Sequence, residues 1–82
     1  MSKFEKLLSR FLSRSINFTY YELKKVLSGL GYTEQQGAGS RVVFFNEQLK
    51  HNMKLHKPHP GNILKRYQID FVIDELKSNN LL

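Results

Sequence analysis

Apolar residues near the N-terminus recur with the spacing of one face of an α-helix. They stand at positions i, i+3, i+4, i+7 and i+8, and they are Phe4, Leu7, Leu8, Phe11 and Leu12. This period predicts a helix over residues 2–13. Residues 14–18 interrupt the period and are expected to form a connector.

A second helix is predicted over residues 20–30. Thr19 and Glu22 have the spacing of a capping box, in which each side chain accepts a hydrogen bond from the other residue's backbone amide. The apolar stripe of this helix consists of Leu23, Val26, Leu27 and Leu30. Gly31 follows, and a glycine at this place commonly ends a helix in the left-handed conformation.

Three short strands are predicted next, from residues that favour extended backbone. They span residues 32–36, 41–45 and 51 or 52 to 56, with a glycine turn at 37–40 and a polar turn at 46–50. Alternation in the third strand places Met53 and Leu55 on one side, and Lys54 and His56 on the other. Residues 42–45 are all apolar, so alternation does not predict which side of the second strand is buried.

The C-terminal part is expected to hold an irregular loop and a closing helix. The loop, residues 57–62, contains a proline on each side of His59, and prolines stiffen the backbone. Residues 63–67 are predicted as a short helical turn, and residues 69–78 as the last helix. The order α-α-β-β-β-α predicts an α+β fold in which a three-stranded antiparallel sheet packs helices on one face. The other face would be free, and it would carry Lys54 and His56.

Length and composition exclude several classes of protein. The 82 residues fit one domain, 1–82, and they contain no cysteine, so no disulfide or thiolate zinc site is expected. There is no apolar run of about 18 residues and no apolar segment typical of a secretory signal at the N-terminus. We therefore expect a cytoplasmic protein that does not span or bind a membrane.

The charge pattern favours an anionic partner. The formal net charge is +6, and residues 50–66 contain five lysines and arginines and all three histidines but no acid. Such a basic segment next to a glycine turn is typical of an anion-binding surface. A solvated surface loop would account for the same run of charge.

Three stretches stand in a characteristic order: GAGSR at residues 37–41, FF at 44–45 and HKPHPGNILK at 56–65. Together they resemble the HicA family, the toxin halves of bacterial HicA–HicB toxin–antitoxin pairs. The resemblance covers residues 20–82, and the helix in residues 1–17 is an N-terminal extension that only some members of the family have. A glycine turn alone is a weak signal, whereas its combination with the His-Pro-Gly loop is more specific.

The resemblance implies a fold like that of a double-stranded-RNA-binding domain and an endoribonuclease activity that cleaves messenger RNA. It also implies a HicB-like antitoxin that covers the active face, and no cofactor. The family usually has a histidine after Gly-Ser, and that histidine is credited with catalysis. Here the position is Arg41. Arginine stays protonated in proteins, so Arg41 cannot act as a general base near neutral pH, but it can bind phosphate through two N–H groups.

Metal-free RNA cleavage needs a base for the 2′-hydroxyl, an acid for the leaving oxygen and a cation for the phosphate. Histidine suits the first two roles, because its ordinary pKa of about 6.5 lies near the operating pH. The catalytic candidates are therefore His56, His59 and Arg41. The residues expected to hold RNA are Gly39, Ser40, Arg41, Lys54, Lys57, Lys65 and Arg66.

Each candidate also has a plainer explanation. His56 and His59 could be structural, and His51 is expected to be a solvated turn residue. The glycine turn could serve only the hairpin, which needs positive φ. A metal site made of the three histidines would lack a carboxylate or thiolate, so none is expected. Three tyrosines could stack on bases, and they are Tyr20, Tyr21 and Tyr67. Most of them are expected to pack in or beside the core instead.

Two other functions stay open beside the nuclease. The same scaffold could bind structured RNA or an acidic partner without cutting, which predicts salt-sensitive binding and no strand scission. Alternatively, the basic face could serve chiefly to dock an acidic antitoxin-like protein.

Overall fold

Three helices and three strands follow the order α-α-β-β-β-α in the computed structural model, which describes residues 2–59 and 61–82. They are α1 Lys3–Leu12, α2 Tyr20–Gly29, β1 Tyr32–Gln36, β2 Arg41–Asn46, β3 His51–His56 and α3 Arg66–Ser78. The predicted α+β class and element order are confirmed. Pro60 lies outside the described residues, and with it one of the two prolines predicted to stiffen His59. Within the described part, none of the helices has the length and apolar character needed to cross a membrane.

The first two helices pack against each other. Helix α2 begins at the predicted capping box, in which the Thr19 hydroxyl accepts from the Glu22 amide and the Glu22 carboxylate accepts from the Thr19 amide. The Phe4 ring of α1 lies against Gly29 of α2, where a larger side chain would collide with it. Phe11 is fully buried. Most of the predicted apolar stripe of α1 therefore packs against the core, whereas Leu12 at its end is 38% exposed.

The strands form one antiparallel sheet in the order β1-β2-β3. Val42 and Phe44 of β2 are each 1% exposed, and Met53 of β3 is fully buried, so this inner face carries the core. The opposite side of the sheet is called the outer face, and its residues are Thr33, Gln35, Arg41, Val43, Phe45, Asn52, Lys54 and His56. Lys54 and His56 thus lie on the face predicted to be free.

The segment that leads into α3 differs from the prediction. The prediction of a helical turn at residues 63–67 is wrong for the first part of that segment, because Ile63 forms an isolated antiparallel bridge with Thr19. Two backbone hydrogen bonds of 2.7 and 2.9 Å flank this bridge and hold the chain extended. Helix α3 then begins at Arg66, because Gln68 Oε1 accepts the Lys65 amide at 2.8 Å and so caps the first turn. The apolar stripe of α3 is buried as predicted and consists of Ile69, Val72, Ile73 and Leu76.

Candidate functional site

Arg41 and His56 lie opposite each other on β2 and β3, on the outer face of the sheet. The next pair toward the glycine turn is joined by a hydrogen bond of 2.8 Å from the Lys57 amide to the Ser40 carbonyl. Antiparallel ladders alternate between hydrogen-bonded and non-hydrogen-bonded pairs, so Arg41 and His56 form a non-hydrogen-bonded pair. Such pairs bring their Cα atoms to about 4.5 Å and their side chains close together. Both residues are exposed, so a ligand on this face can contact both.

Ser40 adds a hydroxyl group to this pair. Its Oγ lies 3.4 Å from Nδ1 of His56. Among the described residues, Nδ1 is the only ring nitrogen of His56 with a hydrogen-bonding partner. This contact leaves Nε2 available to a ligand.

The glycine turn that precedes Arg41 is a hairpin turn that needs positive φ. Gly39 has φ +63°, and no atom lies within 4 Å of the place where its Cβ would stand. The Gly37 amide donates to the Arg41 carbonyl at 2.9 Å, which closes the hairpin. Within the described residues, the amides of Gly39 and Ser40 have no backbone acceptor. The turn therefore serves the hairpin, and it also contains two amides, next to Arg41, that are free of backbone acceptors among the described residues.

Lys54 extends the positive charge along the outer face. It precedes His56 by two residues on β3, which places it about 7 Å along the strand on the same side. Glu34 is the acidic residue of the three strands, and it lies on the inner side of the sheet. There it pairs with Lys24 at 3.2 Å and accepts a hydrogen bond from the Tyr20 hydroxyl. Burial alone would raise the pKa of Glu34, but these hydrogen bonds hold it below its usual value. The outer face, as described, carries no carboxylate.

Lys57, predicted to contact RNA, points away from this face. Its ammonium group lies 5.9 Å from the centroid of the Tyr20 ring, which is buried at the start of α2. Consecutive strand residues point to opposite sides, so the position after His56 is directed inward. The structure therefore separates Lys57 from the Arg41–His56 pair.

The other predicted site residues lie in the loop or at the start of α3, and they are exposed. Arg66 lies 3.4 Å from Asp70, which also binds Arg14 at 2.6 Å. The Arg14 hydrogen bond, with the charges of both arginines, holds the pKa of Asp70 below its usual value. Lys65 precedes α3 and His59 lies in the exposed loop. Among the described residues, no hydrogen bond or ion pair joins these side chains to the Arg41–His56 pair.

His51 is not the solvated turn residue that the sequence predicts. It is half-buried at the start of β3, and its Nδ1 lies 2.7 Å from the Tyr32 hydroxyl. Its Nε2 lies 3.2 Å from a carboxylate oxygen of Glu75 on α3. Both ring nitrogens are occupied within the fold, so His51 links the sheet to α3.

Sequence analysis did not predict a groove beside the pair. This edge groove lies between β3 and α3, has a volume of about 230 Å³, and is lined by Lys54, Leu55, His56, Tyr67, Gln68 and Phe71. Gln68 Nε2 donates to the His56 carbonyl at 3.0 Å and ties α3 to the strand. The signal in the sequence was an aromatic pair, Tyr67 and Phe71, with helical spacing outside the core stripe.

The tyrosines also depart from expectation. Tyr20 is 5% exposed and packs in the core, whereas Tyr21 is 62% and Tyr67 is 67% exposed. The expectation that most of them are packed is therefore wrong. Of the two exposed rings, Tyr67 lies beside the candidate site.

Comparison of the chain with protein-family models, with curated proteins and with solved structures finds no match. The case for a function therefore rests on the chemistry of the outer face. That chemistry is a cross-strand Arg–His pair with a hydroxyl group and a lysine beside it.

Proposed function

We propose that this chain is a HicA-like endoribonuclease that cleaves messenger RNA in the cytoplasm, on the outer face of its sheet and without a metal ion. The observation that carries the proposal is the cross-strand pair of Arg41 and His56, with Ser40 at Nδ1 of the imidazole. Attack by a ribose 2′-hydroxyl on its own phosphate needs a proton acceptor and a fixed cation at one phosphodiester. This pair supplies both.

In the proposed reaction, Nε2 of His56 takes the proton of the 2′-hydroxyl while Ser40 holds the ring through Nδ1. The 2′-oxygen attacks the adjacent phosphorus, and the bond from phosphorus to the 5′-oxygen breaks. The products are a 2′,3′-cyclic phosphate and a 5′-hydroxyl end. Arg41 binds the non-bridging oxygens through two N–H groups and stabilises the negative charge that develops on them.

The leaving 5′-oxygen needs a proton from a second group. The Lys54 ammonium is the donor that the geometry favours, because it lies on the same face about 7 Å from His56 along the strand. His59 is the alternative donor, since it is exposed in the loop that follows β3. Single substitutions at the two positions distinguish them.

The remaining predicted contacts would hold the strand on either side of the reacting phosphate. The amides of Gly39 and Ser40 can bind one phosphate at the glycine turn. Lys65 and Arg66 lie at the start of α3 and Lys57 lies beside Tyr20, so they would contact a long RNA only beyond the outer face. A HicB-like antitoxin would neutralise the enzyme by placing acidic residues over Arg41 and Lys54.

The test is incubation of the purified protein with a long messenger RNA in EDTA. The wild type should produce fragments that end in a 2′,3′-cyclic phosphate. His56→Ala should reduce the cleavage rate by about 100- to 10,000-fold, which is the usual contribution of a general base. His59→Ala tests the alternative donor, and it should stay close to wild type if Lys54 protonates the leaving oxygen. Full activity in both variants would refute the mechanism.

A non-catalytic RNA-binding module is the second candidate. Arg41, which replaces the histidine usual in the family, favours it because arginine binds phosphate and does not move protons. This candidate predicts intact RNA at any protein concentration and a gel shift that weakens as salt rises. That pair of results would replace the nuclease proposal.

A further inference from the structure

Two aromatic side chains on α3 are exposed although they take no part in the core. Tyr67 is 67% exposed and Phe71 is 41% exposed. They stand at i and i+4, so they lie one above the other on the same side of the helix. The buried residues of α3 form a separate stripe, and packing of that stripe does not require aromatic rings at positions 67 and 71.

These rings form one wall of the edge groove, and β3 forms the other. The groove measures about 230 Å³. Pockets for drug-sized ligands usually measure about 300–1,000 Å³. The edge groove is smaller, so its dimensions suit one flat ring.

The mouth of the groove is continuous with the Arg41–His56 pair, because His56 belongs to both and Lys54, which also lines the groove, lies on the same face. Residues of non-hydrogen-bonded pairs direct their backbone amides and carbonyls away from the partner strand. On β3 these groups therefore face the groove, where the His56 carbonyl already accepts from Gln68. The backbone amide and carbonyl of Lys54 remain at the rim, where they can pair with donors and acceptors on the edge of a planar ligand.

We propose that the edge groove binds one unpaired nucleobase of RNA, stacked on Tyr67, next to a phosphate held by Arg41 and Lys54. The proposal rests on the RNA-binding function of the outer face and adds where a base lies. Aromatic rings beside a basic surface are the usual platform for single-stranded nucleic acid. A base inside a duplex is covered by its neighbours, so the ligand class is single-stranded RNA.

An extended peptide could pair with the same edge of β3, but the charges favour RNA. Lys54 and His56 flank the groove and Arg41 lies beside them, with no carboxylate on the described outer face. A nucleotide supplies both a flat ring for the groove and a phosphate for Arg41 and Lys54. A peptide would have to combine an aromatic side chain with adjacent acidic residues.

The test uses a single-stranded 2′-O-methyl RNA of about ten nucleotides that contains 2-aminopurine, a fluorescent base quenched by stacking. The oligonucleotide cannot be cut, because its 2′-oxygens are blocked. Tyr67→Ala should lose about 5- to 150-fold in affinity, the usual contribution of one stacked base, and should abolish the quenching. Tyr67→Phe should keep both properties. Tyr21→Ala is the matched control, because Tyr21 is similarly exposed at 62% but lies on α2.

The outcomes separate this proposal from the function on which it rests. Unchanged affinity and quenching in Tyr67→Ala, with salt-sensitive binding by the wild type, would overturn the proposal that the groove binds a base. The proposed RNA binding by the outer face would still stand. Absence of RNA binding by the wild type would overturn both. A duplex that binds as tightly as the single strand would overturn the assignment of an unpaired base.

Discussion

Replacement of Arg41 by alanine should remove one phosphate contact and leave the fold intact. Arg41 is exposed at the start of β2, and its side chain has no hydrogen bond or ion pair among the described residues. The hydrogen bond that closes the hairpin uses the Arg41 backbone carbonyl, which alanine keeps. Exposed substitutions of this kind usually change stability by about 0.5 kcal/mol or less. A change in RNA binding would therefore report on the side chain.

The expected size follows from the release of counterions. For single-stranded nucleic acid, the logarithm of the binding constant falls with the logarithm of salt concentration by about 0.7 for each phosphate neutralised. If Arg41 and Lys54 each neutralise one phosphate, the slope is about −1.4 for the wild type and about −0.7 for Arg41→Ala. Between about 50 and 200 mM salt, the affinity of the wild type should then fall about sevenfold and that of Arg41→Ala about 2.6-fold. Any further contacts steepen both slopes equally, so the difference of about 0.7 is retained.

The measurement is fluorescence anisotropy of a labelled 2′-O-methyl RNA at several salt concentrations. Lys6→Ala is the control, because it removes one exposed positive charge from α1, and its slope should match the wild type. Equal slopes for Arg41→Ala and the wild type would refute the assignment of Arg41 to phosphate. An equal loss of slope in Lys6→Ala would show that net charge, and not a site, governs binding.

Two further predictions concern the fold. Phe44→Ala should lower the free energy of unfolding by about 3–5 kcal/mol, because Phe44 is 1% exposed, whereas Phe45→Ala on the outer face should cost about 1 kcal/mol. Urea denaturation followed by circular dichroism measures both, and equal losses would contradict the assignment of faces. Burial alone would raise the pKa of Glu22, but hydrogen bonds from Thr19 and Arg10 hold it below its usual 4.5. The resulting stability is complete above the unfolded-state pKa and is lost as pH falls through the lower folded-state pKa. Acid titration of Glu22→Gln should show a shallower loss of stability below about pH 4.5, while the exposed control Glu47→Gln should follow the wild type.

The fold could be predicted wherever local signals and packing agree. Helix α2 has a capping box at its start and Gly31, with φ +98°, just after its end, and both signals are local to residues 19–31. The bridge between Ile63 and Thr19 could not be predicted, because its two partners are far apart in the chain. The start of α3 was missed for another reason, since its cap is a glutamine side chain, Gln68, and not one of the usual capping residues.

The site was predictable only in part. The alternation of side chains along one strand predicts which residues share a face, whereas the register between two strands decides which residues lie opposite each other. The alternation of side chains along β3 placed Lys54 and His56 together on one face. The same alternation places His51 on the side of buried Met53, which is why that histidine points inward. Register across β2 and β3 depends on the turn between them, and it alone sets Arg41 opposite His56. Residues 42–45 are uniformly apolar, so the sequence does not indicate which side of β2 faces outward.

Register also bears on the arginine found where the HicA pattern usually has histidine. Positions 41 and 56 form a cross-strand pair, and in a non-hydrogen-bonded pair two side chains reach the same volume above the sheet. A base on either strand can therefore serve one phosphate placed over the pair. Under the proposed function, His56 supplies the base from β3 and Arg41 supplies the cation from β2. The Ser40 hydroxyl lies at Nδ1, so Nε2 is the ring nitrogen left to a ligand. If the proposed function holds, a base on β3 in place of one on β2 would leave the reacting phosphate in the same place, and Arg41 would be compatible with cleavage.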